Sequence, residues 1–224
     1  MDAGTYHALE LQIARDPADT RRIMPTVHAR FERILDVGCG AGQTLIASAL
    51  GEHVTAIGVD VDLQALRIGR RLDSRIDFIC CKGEVLPVKS DYFDLVISRV
   101  AIPYMHTRNA LGEMARVLKP GGTIWFTLHP FSQLLAEFAK HFVKLEWKAA
   151  MHRVYVIANG LLAHLTGLEF PSPVNGRYES FQTRVRITHE LRRLGFENIH
   201  IQKNHFFVVT ATKVPARPMA ARAR

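Results

Sequence analysis

The sequence predicts an α/β fold: a mostly parallel sheet of seven strands with helices on both faces, closed by an antiparallel C-terminal hairpin strand. Short apolar runs that end at Gly or Asp alternate with longer stretches of helical periodicity. This alternation is typical of the β-α units that build a parallel sheet. A glycine-rich turn follows the first apolar run, at the end of a strand where such sheets bind ligands.

Length and composition indicate one folded domain. The chain has 224 residues, enough for one domain with an insertion but hardly for two. Hydrophobic residues make up 48%, charged residues 22% and aromatic residues 8% of the chain. These fractions exclude a disordered chain, collagen-like repeats and a coiled coil. We therefore expect a single domain over residues 1–212.

The strands are predicted from apolar runs that are short and bounded by turn residues. They are Arg33–Val37, Val54–Val59, Ile76–Cys80, Phe93–Ser98, Thr123–His129, Glu197–Gln202 and His205–Thr212. The first five are almost continuously apolar, as expected for strands buried on both faces. The last two are joined by Lys203 and Asn204, which predicts the closing hairpin.

The helices are predicted from helical composition and from residues that begin or end a helix. They are Tyr6–Arg15, Ala18–Phe31, Gln43–Leu50, Leu63–Leu72, Arg108–Leu118 and Thr188–Leu194. Asp62 and Thr107 are the expected N-caps of two of them. The helix before Lys119-Pro120-Gly121-Gly122 should stop there, because proline cannot continue it and glycine turns the chain. The first two helices occupy residues 1–32.

Residues 130–180 break the alternation and are predicted to be an insertion. They are rich in aromatic residues and include the turn-rich segment Phe170 to Gly176. One interpretation is a helix that packs on the sheet. The other is an apolar substrate cover over the carboxyl edge of the sheet, suited to a lipid-like, polyketide or aromatic acceptor.

The net charge of +8 is concentrated at the C-terminus. Lys213, Arg217, Arg222 and Arg224 supply half of it, and no acidic residue lies among them. Residues 213–224 are therefore predicted to be a basic, disordered tail. A contact of this tail with nucleic acid stays open, but a solubilising extension is favoured because charge alone is a weak functional signal.

The three cysteines and the apolar stretches indicate a cytoplasmic protein. Cys80 and Cys81 are neighbours, so with Cys39 they cannot build a disulfide framework or a four-ligand zinc site, and we expect no metal. The first thirty residues mix acidic and basic side chains and leave no room for the apolar stretch of a signal peptide. The longest weakly charged stretch, residues 154–168, is too short to span a bilayer, so no transmembrane segment is expected.

The turn after the first predicted strand reads Asp36-Val37-Gly38-Cys39-Gly40-Ala41-Gly42. Glycines at alternate positions let the backbone turn tightly and approach a ligand at a helix N-terminus, although they could also be plain turn glycines. The dinucleotide fingerprint needs a further glycine where Gln43 stands, which disfavours NAD. A carboxylate at Asp36 would repel a pyrophosphate but attract an ammonium or sulfonium group.

Asp60 follows the second predicted strand, 22 residues after Gly38. A carboxylate at this place can accept hydrogen bonds from both hydroxyls of a ribose. A helix cap is the alternative role, but Asp62 is better placed for it. The two acids therefore predict a cationic nucleoside as ligand.

At this point the sequence resembles the class I S-adenosylmethionine-dependent methyltransferases, and most closely the small-molecule branch of ubiquinone and menaquinone biosynthesis. The residues that carry the resemblance are the turn from Asp36 to Gly42, Gly58-Val59-Asp60, Leu86-Pro87, Phe93-Asp94-Leu95-Val96 and Leu118-Lys119-Pro120-Gly121-Gly122. It covers about residues 30–129 well and the closing hairpin loosely. It implies a Rossmann-like fold, S-adenosyl-L-methionine as cofactor and S-adenosyl-L-homocysteine as product.

The resemblance also implies roles for individual residues. Asp36 and the backbone at Gly38 and Gly40 would face the methionine portion, Asp60 the ribose and Val61 the adenine. Relatives usually carry an acid where this chain has Lys82, so the adenine contact is expected to shift to Gly83 or Glu84. The full set of expected cofactor contacts is Asp36, Gly38, Cys39, Gly40, Gly42, Asp60, Val61, Gly83, Glu84 and Ser98.

Methyl transfer from a sulfonium needs few catalytic residues, because orientation of the nucleophile does most of the work. The amino-methylating motif of nucleic-acid enzymes, Asn/Asp-Pro-Pro-Tyr, is replaced by Ala101-Ile102-Pro103-Tyr104, and no cysteine follows the fourth strand to attack a cytosine. Tyr104 and His129 are the catalytic candidates. His129 would be a general base or a structural cap of its strand. Tyr104 would orient the acceptor or belong to a lid or the core, and Arg99 would bind an anionic group or stay on the surface.

The sequence thus predicts a methyltransferase that acts on a small, apolar or aromatic acceptor by direct in-line transfer. A tRNA or protein methyltransferase recruited by the basic tail is one alternative. A non-catalytic protein that binds the cofactor without an acceptor site is the other.

Overall fold

The protein is described from a computed structural model, which covers residues 3–128, 147–203 and 207–215. Its strands are β1 (Arg33–Val37), β2 (Thr55–Asp60), β3 (Ile76–Cys80), β4 (Phe93–Ser98), β5 (Leu118–Leu128), β6 (Phe196–Lys203) and β7 (Phe207–Lys213). Its helices are α1 (Ala3–Arg15), α2 (Gln43–Ala47), α3 (Leu63–Leu72), α4 (Thr107–Val117), α5 (Trp147–Thr166) and α6 (Arg184–Arg193).

The strands form one sheet in the order β3-β2-β1-β4-β5-β7-β6. The pairs from β3 to β5 are parallel, and β7 pairs antiparallel with both β5 and β6. The predicted fold class is therefore confirmed, including the antiparallel closure. The strand order reverses beside β1 and β4, so the carboxyl ends of these strands form the crevice where such sheets bind ligands.

Alternate residues of the central strands supply a separate core on each face of the sheet, because successive side chains of a strand point to opposite sides. Leu35, Val96 and Phe126 pack with residues of α4 and α6 on one face. Ile34, Ile97 and Trp125 pack with Leu45 of α2 and with the segment that precedes β1 on the other. Both faces are thus covered, as a parallel sheet requires.

The predicted helix Ala18–Phe31 does not form. The Asp16 carboxylate accepts the Ala18 N–H at 2.9 Å, and the Asp19 carboxylate accepts the Arg21 N–H at 2.8 Å, so both close turns. Pro25 then lacks the N–H that a helix needs and is buried in an extended segment. Ile23, Val27 and Phe31 of this segment pack against the sheet instead.

Some predicted boundaries and caps need correction. His106, not Thr107, is the N-cap of α4: its Nδ1 accepts the Asn109 N–H at 3.3 Å, while Thr107 is the first helical residue. Lys213, which we assigned to the tail, is the last residue of β7, and its ammonium contacts the Asp91 carboxylate at 2.7 Å. Asp62 does cap α3, where it accepts from the N–H groups of Gln64 and Ala65.

Within the described residues, no helix combines the length and the apolar character needed to cross a bilayer. The same part of the chain contains no group of three or more His, Cys, Asp or Glu side chains that could hold a metal ion.

Candidate functional site

A tight loop joins β1 to α2 at the crevice of the sheet. Gly38, Gly40 and Gly42 have φ angles of 74°, 57° and 75°, which L-amino acids with side chains rarely adopt. The N–H groups of Gly38 and Cys39 both donate to the Val59 carbonyl, at 2.8 and 3.0 Å, which fastens the loop to β2. The sequence pattern predicted this loop.

Close packing at the loop leaves no room for side chains. A Cβ at Gly38 would lie 2.1 Å from the Cβ of Ala101, and one at Gly42 would lie 2.8 Å from the Phe78 ring. Gly40 is less crowded, since its nearest neighbour would be Gln43 Oε1 at 3.1 Å. Side chains at Gly38 or Gly42 would therefore force the loop away from Ala101 or Phe78.

Asp60 lies at the end of β2 and holds this loop. Its Oδ2 accepts the Gly40 N–H at 2.8 Å, and its Oδ1 accepts the Asp62 N–H at 2.9 Å. The carboxylate is only partly buried, and each oxygen has a second lone pair for a ligand hydroxyl. Val61, the next residue, is 64% exposed and can lie flat against an aromatic ring.

Asp36 is buried in β1 beneath the loop. It is 1% exposed, and neither carboxylate oxygen has a hydrogen-bond partner among the residues that the structure describes. Burial raises the pKa of Asp36 to about 7, and the Asp60 charge adds to the rise, while Arg99 and the Thr44 hydroxyl act in the opposite direction. Arg99 and Thr44 lie near the carboxylate but do not close a hydrogen bond to it.

A buried carboxylate without a hydrogen bond is costly, so its presence beneath the loop at the carboxyl ends of β1 and β4 points to a cationic partner. A ligand ammonium or sulfonium group near Asp36 would supply the missing charge. The residues present therefore fit a cationic adenosyl cofactor, with Asp36 for its positive end and Asp60 for its ribose.

Cys39 is a structural member of the loop. Its side chain is 5% exposed, and its Sγ donates to the Gly40 carbonyl at 3.4 Å. Burial raises the pKa of the thiol well above its usual value, and Asp36 and Asp60 raise it further. The thiol stays protonated at neutral pH, which excludes it as a thiolate nucleophile.

The N-terminal helix α1 packs over the glycine loop. The side chains of His7 and Gln43 are hydrogen bonded through Nδ1 and Nε2 at 2.8 Å, and both are buried. Arg99, just after β4, contacts Glu10 of α1 at 3.1 Å and donates through Nε to Thr44 at 3.1 Å. Sequence reasoning missed His7 and Glu10, because no local pattern marks contacts made across such long stretches of chain.

Gly83 and Glu84 lie beside the loop but are partly committed to the protein. Gly83 is buried, and a Cβ there would meet Met105 Sδ at 2.7 Å and Val37 at 2.8 Å. Glu84 Oε1 accepts the His106 N–H at 2.9 Å. Both residues thus fix the turn that precedes α4, and Glu84 Oε2 is the oxygen left to face a ligand.

The hydroxyl of Ser98 forms a hydrogen bond within the sheet, where a cofactor contact was expected. Ser98 is fully buried, and its hydroxyl donates to the Val37 carbonyl at 2.8 Å. That proton is therefore not free for a cofactor. The neighbouring Val100 has a φ of 63°, an unusual value for a β-branched residue, and its N–H donates to Thr127 Oγ1 at 2.8 Å.

Of the two catalytic candidates, the structure describes Tyr104 but not His129. Tyr104 lies in the short 3-10 helix Ile102–Tyr104 after β4, is 39% exposed, and has the Arg177 guanidinium 5.5 Å from its ring centroid. His129 lies outside the described residues. Tyr104 therefore stays a candidate on its position, at the carboxyl edge and under a loop of the insertion.

Buried polar contacts hold residues 169–182 of the insertion against the N-terminus of α4. Glu169 Oε2 accepts the Thr107 N–H at 2.8 Å, and Glu169 Oε1 pairs with Arg186 at 2.8 Å. Asn159 of α5 accepts the Phe170 N–H at 2.9 Å and donates to the Glu179 carbonyl at 3.0 Å. Residues 169–182 are thereby held against the N-terminus of α4, next to Tyr104.

The sequence of this chain is similar to those of known methyltransferases. A family model described as a methyltransferase domain matches residues 34–122. A demethylmenaquinone methyltransferase of Clavibacter sepedonicus is 39% identical over 112 residues, which cover 48% of this chain and 44% of the relative. A malonyl-[acyl-carrier protein] O-methyltransferase of Enterobacter lignolyticus is 28% identical over 201 residues, covering 88% and 78%. This chain thus spans less than half the length of the first relative.

Among solved structures, a SAM-dependent methyltransferase of Thermotoga maritima, titled a possible histamine N-methyltransferase, has a TM-score of 0.57 and 18% identity. The match covers 94% of this chain and 90% of the other. At this identity the likeness shows the fold alone.

Proposed function

Residues 34–122 form a domain of the class I S-adenosylmethionine-dependent methyltransferases, and from this premise we propose that the chain methylates a small, apolar or aromatic acceptor. The single observation that carries the proposal is the Asp36 carboxylate, which is buried under the glycine loop and has no hydrogen-bond partner in the described part of the chain, as a site for a cationic methyl donor requires. The cofactor S-adenosylmethionine supplies a methyl group on a positively charged sulfur.

The chain's own residues would bind and orient this cofactor. Asp36 would attract its cationic end, because opposite charges interact strongly where water is excluded. Asp60, which already fixes the loop through Gly40, would accept from the ribose hydroxyls. Val61 would lie against the adenine, and Glu84 Oε2 would accept from its amino group.

The acceptor would enter at the carboxyl edge of β4 and β5. In-line transfer needs the nucleophile close to the methyl group and aligned with it, so positioning groups matter more than an acid-base pair. Tyr104 is our candidate for orienting the acceptor, and His129 our candidate for taking up a proton. The nearby loop exposes Phe170 and Val174, which supports an apolar acceptor over a polar one.

The test is methyl transfer from radiolabelled S-adenosylmethionine to a panel of three acceptors. The panel consists of a naphthoquinol, malonyl-coenzyme A and total tRNA. The first two are chosen because the relatives described above are named as a demethylmenaquinone methyltransferase and a malonyl-[acyl-carrier protein] O-methyltransferase. We expect turnover with the naphthoquinol. Turnover with tRNA alone would contradict the proposal, and binding of the cofactor without any turnover would favour a non-catalytic role.

The tail gives a second test against a nucleic-acid substrate. Because Lys213 belongs to β7, the deletion should begin at residue 216 and remove Arg217, Arg222 and Arg224. We expect unchanged turnover of the small acceptor.

We propose the cytoplasm as the compartment, supported by three cysteines that are all free.

A further inference from the structure

Helix α5 carries an uninterrupted apolar stripe on its exposed side. Its members follow one another in alternating steps of four and three residues, the spacing that keeps side chains on one face of a helix. We name as the α5 stripe the residues Trp147, Met151, Val154, Ala158, Leu161, Leu165 and, just past the helix end, Leu168. All seven are exposed; Met151 reaches 71% and Leu165 83%.

The opposite face of α5 is the one that packs on the protein. Val156, Asn159 and Ala163 are buried there, and Asn159 holds the loop of the insertion through its amide. A Cβ at Gly160 would lie 2.3 Å from the Phe181 ring, so the two elements are in close contact. The packing therefore fixes the rotation of α5 with the stripe pointing to solvent.

The lysine and arginine side chains of α5 have no acid beside them on the helix. Helix α5 contains no Asp or Glu, and its Lys and Arg residues are Lys148 and Arg153. At about 100° per residue, Lys148 borders the stripe on one side. His152 pairs with Glu179 at 2.9 Å and faces away from the stripe.

Further cations lie where α5 meets α6. A cleft between these helices is lined by Arg108, Arg186 and Arg193 beside His164 of α5. Glu190 contacts Arg193 and, at 3.6 Å, Arg108, while Arg186 pairs with Glu169 at 2.8 Å. Three arginines thus face two acids, which leaves this cleft with a small positive excess.

We propose that the α5 stripe docks the enzyme on an anionic lipid surface, with α5 lying in the interface and Lys148 on the headgroups. An apolar helix face beside basic side chains, on a helix without any acid, is what such a surface binds, because apolar burial and attraction to anionic lipids add. A second copy of the chain is a poorer occupant. Pairing two copies through this face would bring the basic side chains of two α5 helices together, and α5 carries no acid to offset them.

The surface also continues toward the site. Phe170 and Val174, 55% and 87% exposed, are further exposed apolar residues of the loop that follows Leu168. Arg177 of the same loop lies over the ring of Tyr104. A docked enzyme would therefore present its acceptor entrance close to the lipid. The docking itself does not depend on which acceptor is used.

The test is sedimentation of the full chain with two kinds of vesicle, pure phosphatidylcholine and phosphatidylcholine mixed with phosphatidylglycerol, without any acceptor. We expect binding to the anionic vesicles that weakens at high salt. The double variant Met151→Glu/Leu165→Glu should lose that binding by tenfold or more. Lys148→Ala, which leaves the stripe intact, should weaken it about fivefold, the effect of one cation near an anionic surface.

Leu72→Glu is the matched control. Leu72 is 50% exposed at the end of α3, so Leu72→Glu places one of the two added glutamates on another helix, and this variant should bind vesicles as the wild type does. Unchanged affinity for S-adenosylmethionine would show that each variant is folded. Absence of binding to anionic vesicles, or binding that the double variant retains, would overturn the proposal. So would a dimer that the double variant converts to a monomer without any vesicle binding.

Discussion

Asp60 accepts the Gly40 N–H through Oδ2 at 2.8 Å, so the acid that ends β2 holds the glycine loop that follows β1. Its other oxygen accepts the Asp62 N–H at 2.9 Å, and Asp62 in turn caps α3. One carboxylate thus fixes the backbone on both sides of the crevice. The same residue that would bind the ribose also determines the shape of the loop.

Replacing Asp60 should therefore weaken cofactor binding in two ways. In Asp60→Ala the ribose would lose its acceptor, and the Gly40 N–H would lose the bond that holds the loop. We expect affinity for S-adenosylmethionine to fall by about 1 to 3 kcal/mol, the range for a lost hydrogen bond to a charged group. Isothermal titration calorimetry measures the loss.

Asp62→Ala is the control for this variant, since it changes the same type of residue two positions away. It removes a helix cap and should lower the free energy of unfolding by about 1 kcal/mol. Affinity for S-adenosylmethionine should stay close to that of the wild type. Equal losses of affinity in the two variants would refute the ribose role of Asp60.

The buried Asp36 should make the stability of the cofactor-free protein depend on pH. Its pKa is about 7 when folded, against a usual value of 3.8. Between these values the folded chain keeps a proton that the unfolded chain has released. The stability that this proton contributes is fully present below about pH 4 and is lost as the pH rises through about 7.

Asp36→Asn isolates this effect because it keeps the shape of the side chain and removes its charge. We expect the thermal midpoint of the variant minus that of the wild type to increase as the pH is raised from about 5 to about 8. A difference between the two midpoints that stays constant over this range would show that Asp36 does not titrate there.

Cofactor affinity should change with pH in the opposite sense. A cationic ligand binds the ionised carboxylate, so the wild type should bind S-adenosylmethionine more tightly as the pH rises through about 7. At about pH 6 only about a tenth of Asp36 is ionised, which lowers the apparent affinity by up to about tenfold. Calorimetry at about pH 6 and about pH 8 tests this, and Asp36→Asn should show no such change.

Local sequence signals were enough to predict the sheet and the loop. β1, β3, β4 and α3 begin and end where the apolar runs and the Asp62 cap indicated. The helix expected at Ala18–Phe31 failed because two Asx turns and Pro25 outweigh the helical periodicity of that segment. Asp16, Asp19 and Pro25 are thus the local signals that oppose a helix in this segment.

Other features could not have been read from the sequence. The contact of His7 with Gln43 and that of Glu10 with Arg99 depend on where α1 packs once the sheet exists. The assignment of Ser98 to the cofactor rested on its position at a strand end. Which carbonyl accepts the hydrogen bond from the Ser98 hydroxyl depends on the register of β1 and β4.

Glu169 should be a main determinant of how firmly the insertion is held. In Glu169→Ala the Arg186 guanidinium, 15% exposed, would lose its acid, and the Thr107 N–H would lose its acceptor. Breaking a buried ion pair in this way should cost about 3 to 5 kcal/mol of unfolding free energy. Urea denaturation measures it. Glu197→Ala, at an exposed glutamate of β6, should change the midpoint little, and an equal effect of both would contradict the assignment.

Gly38 should be the position of the loop least tolerant of a side chain. Gly38→Ala would put a Cβ 2.1 Å from that of Ala101, so the loop or the turn after β4 must move. Gly121→Ala is the matched control: its φ of 80° imposes similar strain, about 1 to 2 kcal/mol, but nothing lies within 4 Å of the added atom. We expect Gly121→Ala to bind S-adenosylmethionine normally and Gly38→Ala to bind it more than about tenfold more weakly, with the larger drop in thermal midpoint. Wild-type affinity in Gly38→Ala would show that the crevice does not depend on the close contact between Gly38 and Ala101.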